Sequence, residues 1–290
     1  MALAFDGVDD YVQAPGIGEY AIEMWVKPGK PAQMGLYSGD DDYNVFIYEP
    51  DGIGGESDFD VTYGLYVVFY GSAIAVPFND IKEGWHHIAI SRDGETGLRV
   101  GIDGQFPAGY VRDGASWVED GQPFTLAETP QPDLSADTLI GKTTFSAWNT
   151  GSQHFSGIID EVGIWDVELD AGDIWDHISG EVVLTDEPVP VLYLNLEEGE
   201  GDTAHDLSPS GNDGVLVGME PESWVLDGHP EVARSVWNPT HDYPKAGKYD
   251  ISLRVLSEYG KWGWAETTQV KVIDGKITGY VRAADLCARC

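Results

Sequence analysis

Residues 154–169, His-Phe-Ser-Gly-Ile-Ile-Asp-Glu-Val-Gly-Ile-Trp-Asp-Val-Glu-Leu, constrain the fold of this chain more than any other stretch. An extended segment alternates its side chains between two faces. Ile158, Asp160, Val162 and Ile164 therefore share one side, and Ile159, Glu161, Gly163 and Trp165 the other. Bulky apolar residues on both sides predict a strand inside a layered β-structure, not on its rim. Asp160 is the exception, a carboxylate set among Ile158, Val162 and Ile164. An ionised carboxylate removed from water is costly unless hydrogen-bond donors or a cation compensate it. Asp160 is thus expected either to accept hydrogen bonds from nearby backbone amides or to ligate a metal ion, with calcium favoured in a chain so rich in oxygen ligands.

The rest of the chain reads as all-β, because turn residues recur at short intervals and helical periodicity is almost absent. Ile22, Met24 and Val26 alternate with Glu23, Trp25 and Lys27, the pattern of a half-buried strand. Trp85 to Arg92, Asp93-Gly94, Leu98 to Ile102 and Asp103-Gly104 form a meander with turn signals at hairpin spacing. An acidic stretch at 49–60 precedes the apolar run Tyr63 to Tyr70, and residues 113–138, rich in Asp, Pro and Gly, predict a long surface loop. One short helix is expected after the key strand. Asp170 is its N-cap, Asp173 stands three residues on, and Ile174 and Ile178 face inward.

Phe155 to Leu169 resembles the closing signature of laminin-G-like jelly-roll domains of the concanavalin A-like superfamily. Four other stretches fit that family in order: LAFDGVDDYVQAP at 3–15, YAIEMWVKP at 20–28, GWHHIAISRDGETGLRVGIDG at 84–104 and VLYLNLEEGEGDTAHDLSPSGNDGVLVG at 191–218. The resemblance implies an all-β, concanavalin A-like jelly-roll sandwich over residues 1–226. It also implies a structural Ca2+ where the opening strand meets the key strand, held by Asp6, Gly7 and Asp9 together with Asp160. Residues 240–274 resemble the later strands of a PKD-type immunoglobulin-like domain, without that family's entry motif, which implies a small immunoglobulin-like β-domain at 227–274. Gly275 to Val281 resembles the first strand of a further β-module, with the tail running over 275–290.

Charge narrows the partners. Fifty acidic residues stand against 16 basic ones, a formal net charge of −34, which excludes nucleic acid and anionic membrane surfaces as primary partners. No apolar run approaches the ~20 residues of a membrane helix. The N-terminus carries no basic segment followed by an apolar one, so the expectation is a removed signal or a fragment of a longer chain. Cys287 and Cys290 lie at the extreme end, leaving the core without disulfides. They suit half of a zinc site, a local disulfide or a link to another chain. Ile277 to Val281 is apolar and has no obvious partner in sequence, so residues 275–290 are expected to self-associate with a neighbouring subunit or to pair with the rest of a longer chain.

Candidate chemistry is sparse. Glycoside hydrolases of the same superfamily place two catalytic carboxylates on one face of a strand. The key strand has Ile158 and Val162 where such partners belong, and Glu161 faces away, so no enzyme is expected. His86 and His87 are adjacent on a strand, point to opposite faces and cannot chelate one ion. Asp206-x-Ser208-x-Ser210-Gly211 opens like an EF-hand loop, but its twelfth position is Val217, so it reads as a turn. Asp40, Asp41 and Asp42 read as solvated surface charge. Trp117, Trp148, Trp262 and Trp264 fall in predicted loops. Trp262 and Trp264 are assigned to packing, and Trp148 with Asn149 is the candidate ligand-binding platform for a sugar ring. The expected protein is a non-catalytic, extracellular or cell-surface, calcium-stabilised binding or adhesion module for a glycan or a surface protein. The alternative is a structural repeat of a surface layer, filament or adhesin stalk.

Overall fold

The computed structural model describes residues 1–229 except 19, 30–33, 41–42, 49–62, 70, 83, 95, 114–115, 127–135, 145–152, 180–181, 183 and 186, and beyond them the backbone of five short strands between 247 and 278. The chain divides into two compact units, Met1–Glu231 and Val232–Cys290.

The first unit is a sandwich of two antiparallel sheets. One runs in the order Phe124–Thr125, Gly97–Ile102, His86–Asp93, Ala21–Pro28, Ser156–Trp165, Ala2–Asp6, Trp224–Val225, with Leu192–Leu194 also paired to Ser156–Trp165. The other has ten strands, from the edge Ser116–Asp120 through Gly109–Asp113, Ser72–Pro77, Gly64–Phe69, Tyr43–Tyr48, Met34–Asp40, Thr138–Ile140 and Tyr11–Ala14 to Gly214–Val217 and Thr203–Ala204. Period-2 alternation builds the core between them. Leu3, Phe5, Ile22, Met24, Val26, Ile88 and Ile90 from the first sheet meet Val45, Ile47, Leu65, Val67, Ile74 and Val76 from the second. Each such side chain, fully buried, contributes about 1.5–3 kcal/mol of transfer free energy. This is the expected jelly roll.

The central strand Ser156–Trp165 departs from simple alternation. Asp160 pairs with Trp25 and Gly163 with Glu23, so three steps along the central strand match two along its neighbour. The extra residue is a β-bulge, and Glu161 within it takes a positive φ of 51°. Parity therefore changes at the bulge. Ile159 before it and Val162 and Ile164 after it all enter the core. Asp160, opposite Trp25, points to the outer face of the sheet. The expected grouping of Asp160 with Val162 and Ile164 is thereby corrected.

Two further expectations change. The stretch 113–138 is not one loop, since it contains the strands Ser116–Asp120 and Phe124–Thr125. Trp117 is buried there against Phe46, Tyr48 and Tyr66, while its neighbour Val118 is exposed. The helix Ala171–Ser179 (α1) follows its sequence signals closely. Asp170 Oδ1 accepts hydrogen bonds from the Gly172 and Asp173 amides at 2.6 and 2.9 Å, and Asp173 Oδ2 accepts one from the Asp170 amide at 2.8 Å. This reciprocal cap leaves Ile174 and Ile178 buried on the sheet side.

In the second unit Gly247–Ile251 pairs with Thr268–Ile273, which pairs in turn with Lys276–Thr278; Arg254–Leu256 pairs with Trp262–Trp264. Trp262 and Trp264 thus lie on a strand instead of in a loop. The start of the tail does have a partner in its own chain, since Lys276–Thr278 pairs with Thr268–Ile273, and it forms the outer strand of that sheet. Only Asp274-Gly275 separates the paired Ile273 and Lys276, a dipeptide favoured in two-residue hairpin turns. Cys287 and Cys290 lie outside the described residues.

Candidate functional site

The opening strand ends in the turn Asp6-Gly7-Val8-Asp9-Asp10. Asp6 Oδ1 accepts hydrogen bonds from the amides of Val8 at 2.7 Å and Asp9 at 3.4 Å, an Asx turn, and Asp10 Oδ2 accepts one from the Asp6 amide at 2.8 Å. Gly7 is required twice over. Its φ is +82°, and a Cβ there would stand 2.8 Å from the Ser156 Cβ. The carboxylates of Asp6, Asp9 and Asp10 come within 4.8 Å of one another. Burial raises the Asp10 carboxyl above the ordinary value; the Asp6 amide bond opposes this, and the charges of Asp6, Asp9 and Glu220 add to it. Three carboxylates grouped this closely form an all-oxygen set suited to a hard divalent cation.

Asp160 stands elsewhere. Asp6 pairs with Ser156, four residues along the central strand, so the two carboxylates begin about 13 Å apart at strand spacing. The structure brings Asp6, Gly7 and Asp9 together but leaves Asp160 out of their set. Asp160 is 1% exposed, and its oxygens are taken up by the chain itself. Oδ2 accepts hydrogen bonds from the His229 amide at 3.0 Å and from His229 Nδ1 at 2.9 Å, and Oδ1 accepts one from the Glu161 amide at 3.1 Å. The His229 ring stacks on Trp25, centroids 4.8 Å apart and 17° from parallel, with Trp85 edge-on at 6.5 Å. Glu161 in turn accepts the Tyr193 hydroxyl. An imidazole donor and two engaged carboxylates do not fit calcium, which takes six to eight oxygens. Of the two readings of Asp160, the hydrogen-bonded carboxylate matches its surroundings.

His229 is the residue that sequence reasoning missed. The domain boundary was expected at 226/227, yet Asp227, Gly228 and His229 lie on the first unit. Asp227 pairs with Lys27 at 2.6 Å, and a Cβ on Gly228 would press at 3.3 Å on both Asp160 Oδ2 and the Met1 carbonyl.

A parallel arrangement anchors α1 on the same outer face. His177 Nδ1 lies 2.6 Å from Glu23 Oε2, and its ring stacks on Trp165 at 5.0 Å and 11°. Burial raises the Glu23 carboxyl, against the pull of His177. Burial likewise opposes charge on His177, but the bond to Glu23 and that carboxylate's charge outweigh it and hold the imidazole above its ordinary value. His87, edge-on to Trp25 at 5.2 Å, has no carboxylate bonded to it; burial pushes its pKa down to about 3. Its neighbour His86 contacts Asp103 Oδ2 and the Asp80 carbonyl, each at 2.9 Å, so the two histidines serve separate structural roles.

Other candidates resolve simply. Asp206 accepts from the Tyr193, Ser208 and Asn212 amides and the Ser208 hydroxyl, which makes it a turn organiser. Trp148, Asn149, Asp41 and Asp42 lie outside the described residues.

Residues 6–175, more than half of the chain, match Laminin_G_3, described as the concanavalin A-like lectin/glucanases superfamily, and the chain belongs to that family. Among solved structures it is similar to a protein of Bacteroides ovatus provisionally described as carbohydrate-binding, at 16% identity and a TM-score of 0.53, over 80% of this chain and 62% of that one. The heptameric SAP-like pentraxin of Limulus polyphemus matches at 15% identity and a TM-score of 0.42, over 60% of this chain and 79% of that one. At 16% identity the likeness to the Bacteroides protein concerns the fold alone. The chain spans about 62% of the length of the Bacteroides protein. No curated protein matches the sequence.

Proposed function

We propose that this chain is a non-catalytic carbohydrate-binding module of an extracellular or cell-surface protein, with Ca2+ held at the opening turn. The observation that carries the reading is the Asp6, Asp9 and Asp10 carboxylate set within a lectin-type fold, followed at once by the half-buried Tyr11. Lys142 Nζ lies 4.0 Å from the Tyr11 ring centroid, and His154 lies 6.2 Å from it. An aromatic ring bordered by polar side chains and a cation-binding turn supplies stacking, donors and acceptors to a sugar. The Bacteroides protein's provisional description agrees with this reading. Asp160 argues against hydrolysis, since its oxygens are buried and occupied. On the same reading the second unit, with its PKD-type resemblance, is an immunoglobulin-like spacer, and Trp148 with Asn149, with polar residues nearby, is a further candidate platform for a sugar ring.

A glycan array with and without calcium tests the proposal. Binding lost on chelation, and lost in Asp9→Asn and Tyr11→Ala while the fold persists, is expected. Calcium-independent binding unaffected by both variants would move the site elsewhere. Trp148→Ala, read on the same array, decides whether that tryptophan contributes. Release of reducing sugar from any bound glycan would overturn the non-catalytic assignment.

A further inference from the structure

The segment Asp227–His229 is a three-residue strap laid on the outer sheet face. Beneath it are the Trp25 face, 7% exposed, and the buried Asp160 carboxylate. Glu161 and Trp85 flank them. The Trp85 indole N–H is buried without a hydrogen-bond partner. His229 fills this place with an unusual economy of contacts: one planar ring on Trp25, and two N–H groups from one residue on a single carboxylate oxygen.

We propose that Trp25 and Asp160 form a receptor site for an arginine side chain of a partner protein, and that His229 occupies the site in cis. The recognition chemistry points to a planar cation. Asp160 and Glu161, when ionised, only accept hydrogen bonds, and a guanidinium only donates them. A guanidinium offers a flat face to an indole and a fork of donors to a carboxylate, which is what His229 reproduces at smaller size. Cation–π attraction to Trp25 adds to the pairing. The net charge of −34 draws basic partners toward the surface before any contact forms. The strap is weakly held at its near end, where Asp227 and Lys27 make a solvent-accessible ion pair. This site is independent of the calcium turn.

A self-occupied site shows only a fraction of its intrinsic affinity, because the open state is a fraction of the population. His229→Ala in the full chain should therefore strengthen binding of N-acetyl-arginine amide at least tenfold, read by tryptophan fluorescence and by NMR of the indole N–H groups. Asp160→Asn in the same background should abolish the gain, and the neutral isostere N-acetyl-citrulline amide should not bind. A folded His229→Ala protein that binds the arginine probe no better than wild type overturns the proposal, as does equal binding of citrulline or of neutral hexoses. Should His229→Ala fail to fold, the wild-type chain gives the answer. Excess arginine amide must then shift the His229 imidazole resonances, and their remaining fixed counts against the site.

Discussion

Removing the His177 ring should cost far more than a surface ion pair, and the reason lies in what is left behind. Glu23 is 3% exposed, and its Oε1 already lacks a hydrogen-bond partner. His177→Ala leaves the other oxygen unpaired as well and strips the stack from Trp165. Breaking a buried pair by deleting one partner costs roughly 3–5 kcal/mol, whereas replacing both by apolar groups is often neutral. At about 2–4 °C per kcal/mol for a unit of this size, the single variant should melt roughly 6–20 °C lower. His177→Leu combined with Glu23→Leu should recover most of that loss. The pair also carries a pH signature. His177 is raised in the folded state, so its contribution is fully present below the ordinary histidine value of 6.5 and fades as pH rises through the raised folded value. Glu23 is raised too, so burying its charge weighs on the fold increasingly as pH climbs above 4.5. Thermal melts of the wild type, His177→Ala and the double variant, at pH 6 and pH 9, supply the test. A His177→Ala loss of under about 1 kcal/mol, equal at both pH values, would refute a buried, coupled pair.

His87 should govern the acid side in the opposite sense. It is neutral when folded and protonates near 6.5 when unfolded, so stability should fall as pH drops from 6.5 toward about 3, and His87→Phe should flatten that limb in pH-dependent denaturation. Calcium at a hundredfold excess over its dissociation constant should stabilise the first unit by about 2.7 kcal/mol, and Asp9→Asn should melt alike with calcium or with EDTA. Asp170→Ala should lose about 1 kcal/mol in chemical denaturation through the helix cap, with the array profile unchanged.

What was legible in the sequence was local. Outside the central strand, the alternating strands, the Asp170–Asp173 cap and the Asp206 turn each depend on residues a few positions apart, and the structure has them as read. The Asp160 environment was half legible. Its need for compensation followed from burial alone, but its supplier, His229, lies 69 residues away and was assigned to the following unit. The bulge was hidden because apolar residues occur on both sides of it, so alternation looked intact with the wrong parity. That single residue is why alternation alone puts Asp160 between the sheets; its grouping with Asp6 is what the family resemblance implies, and the four-residue offset along the strand separates the two. Trp117 falls in a stretch, 113–138, whose Gly, Pro and Asp signal turns; of its two short strands, Ser116–Asp120 pairs in a hairpin with Gly109–Asp113 just before it, and Phe124–Thr125 pairs with the more distant Gly97–Leu98.

The bulge makes the central strand behave like a wave that skips half a period. Its upstream half is phased by the opening strand, through Leu3 opposite Ile159, and its downstream half by Leu192–Leu194, through Val162 opposite Leu194. Each half can be edited by substitution without reference to the other, since each has its own metronome. A one-residue deletion at Asp160–Glu161 cannot be absorbed in this way. It would bring the two halves into step and turn one half's apolar side chains toward water, or force one of the two pairings to slip. Lengthening or shortening of this chain over time is therefore expected in its surface connections, and not at the point where the phase is broken.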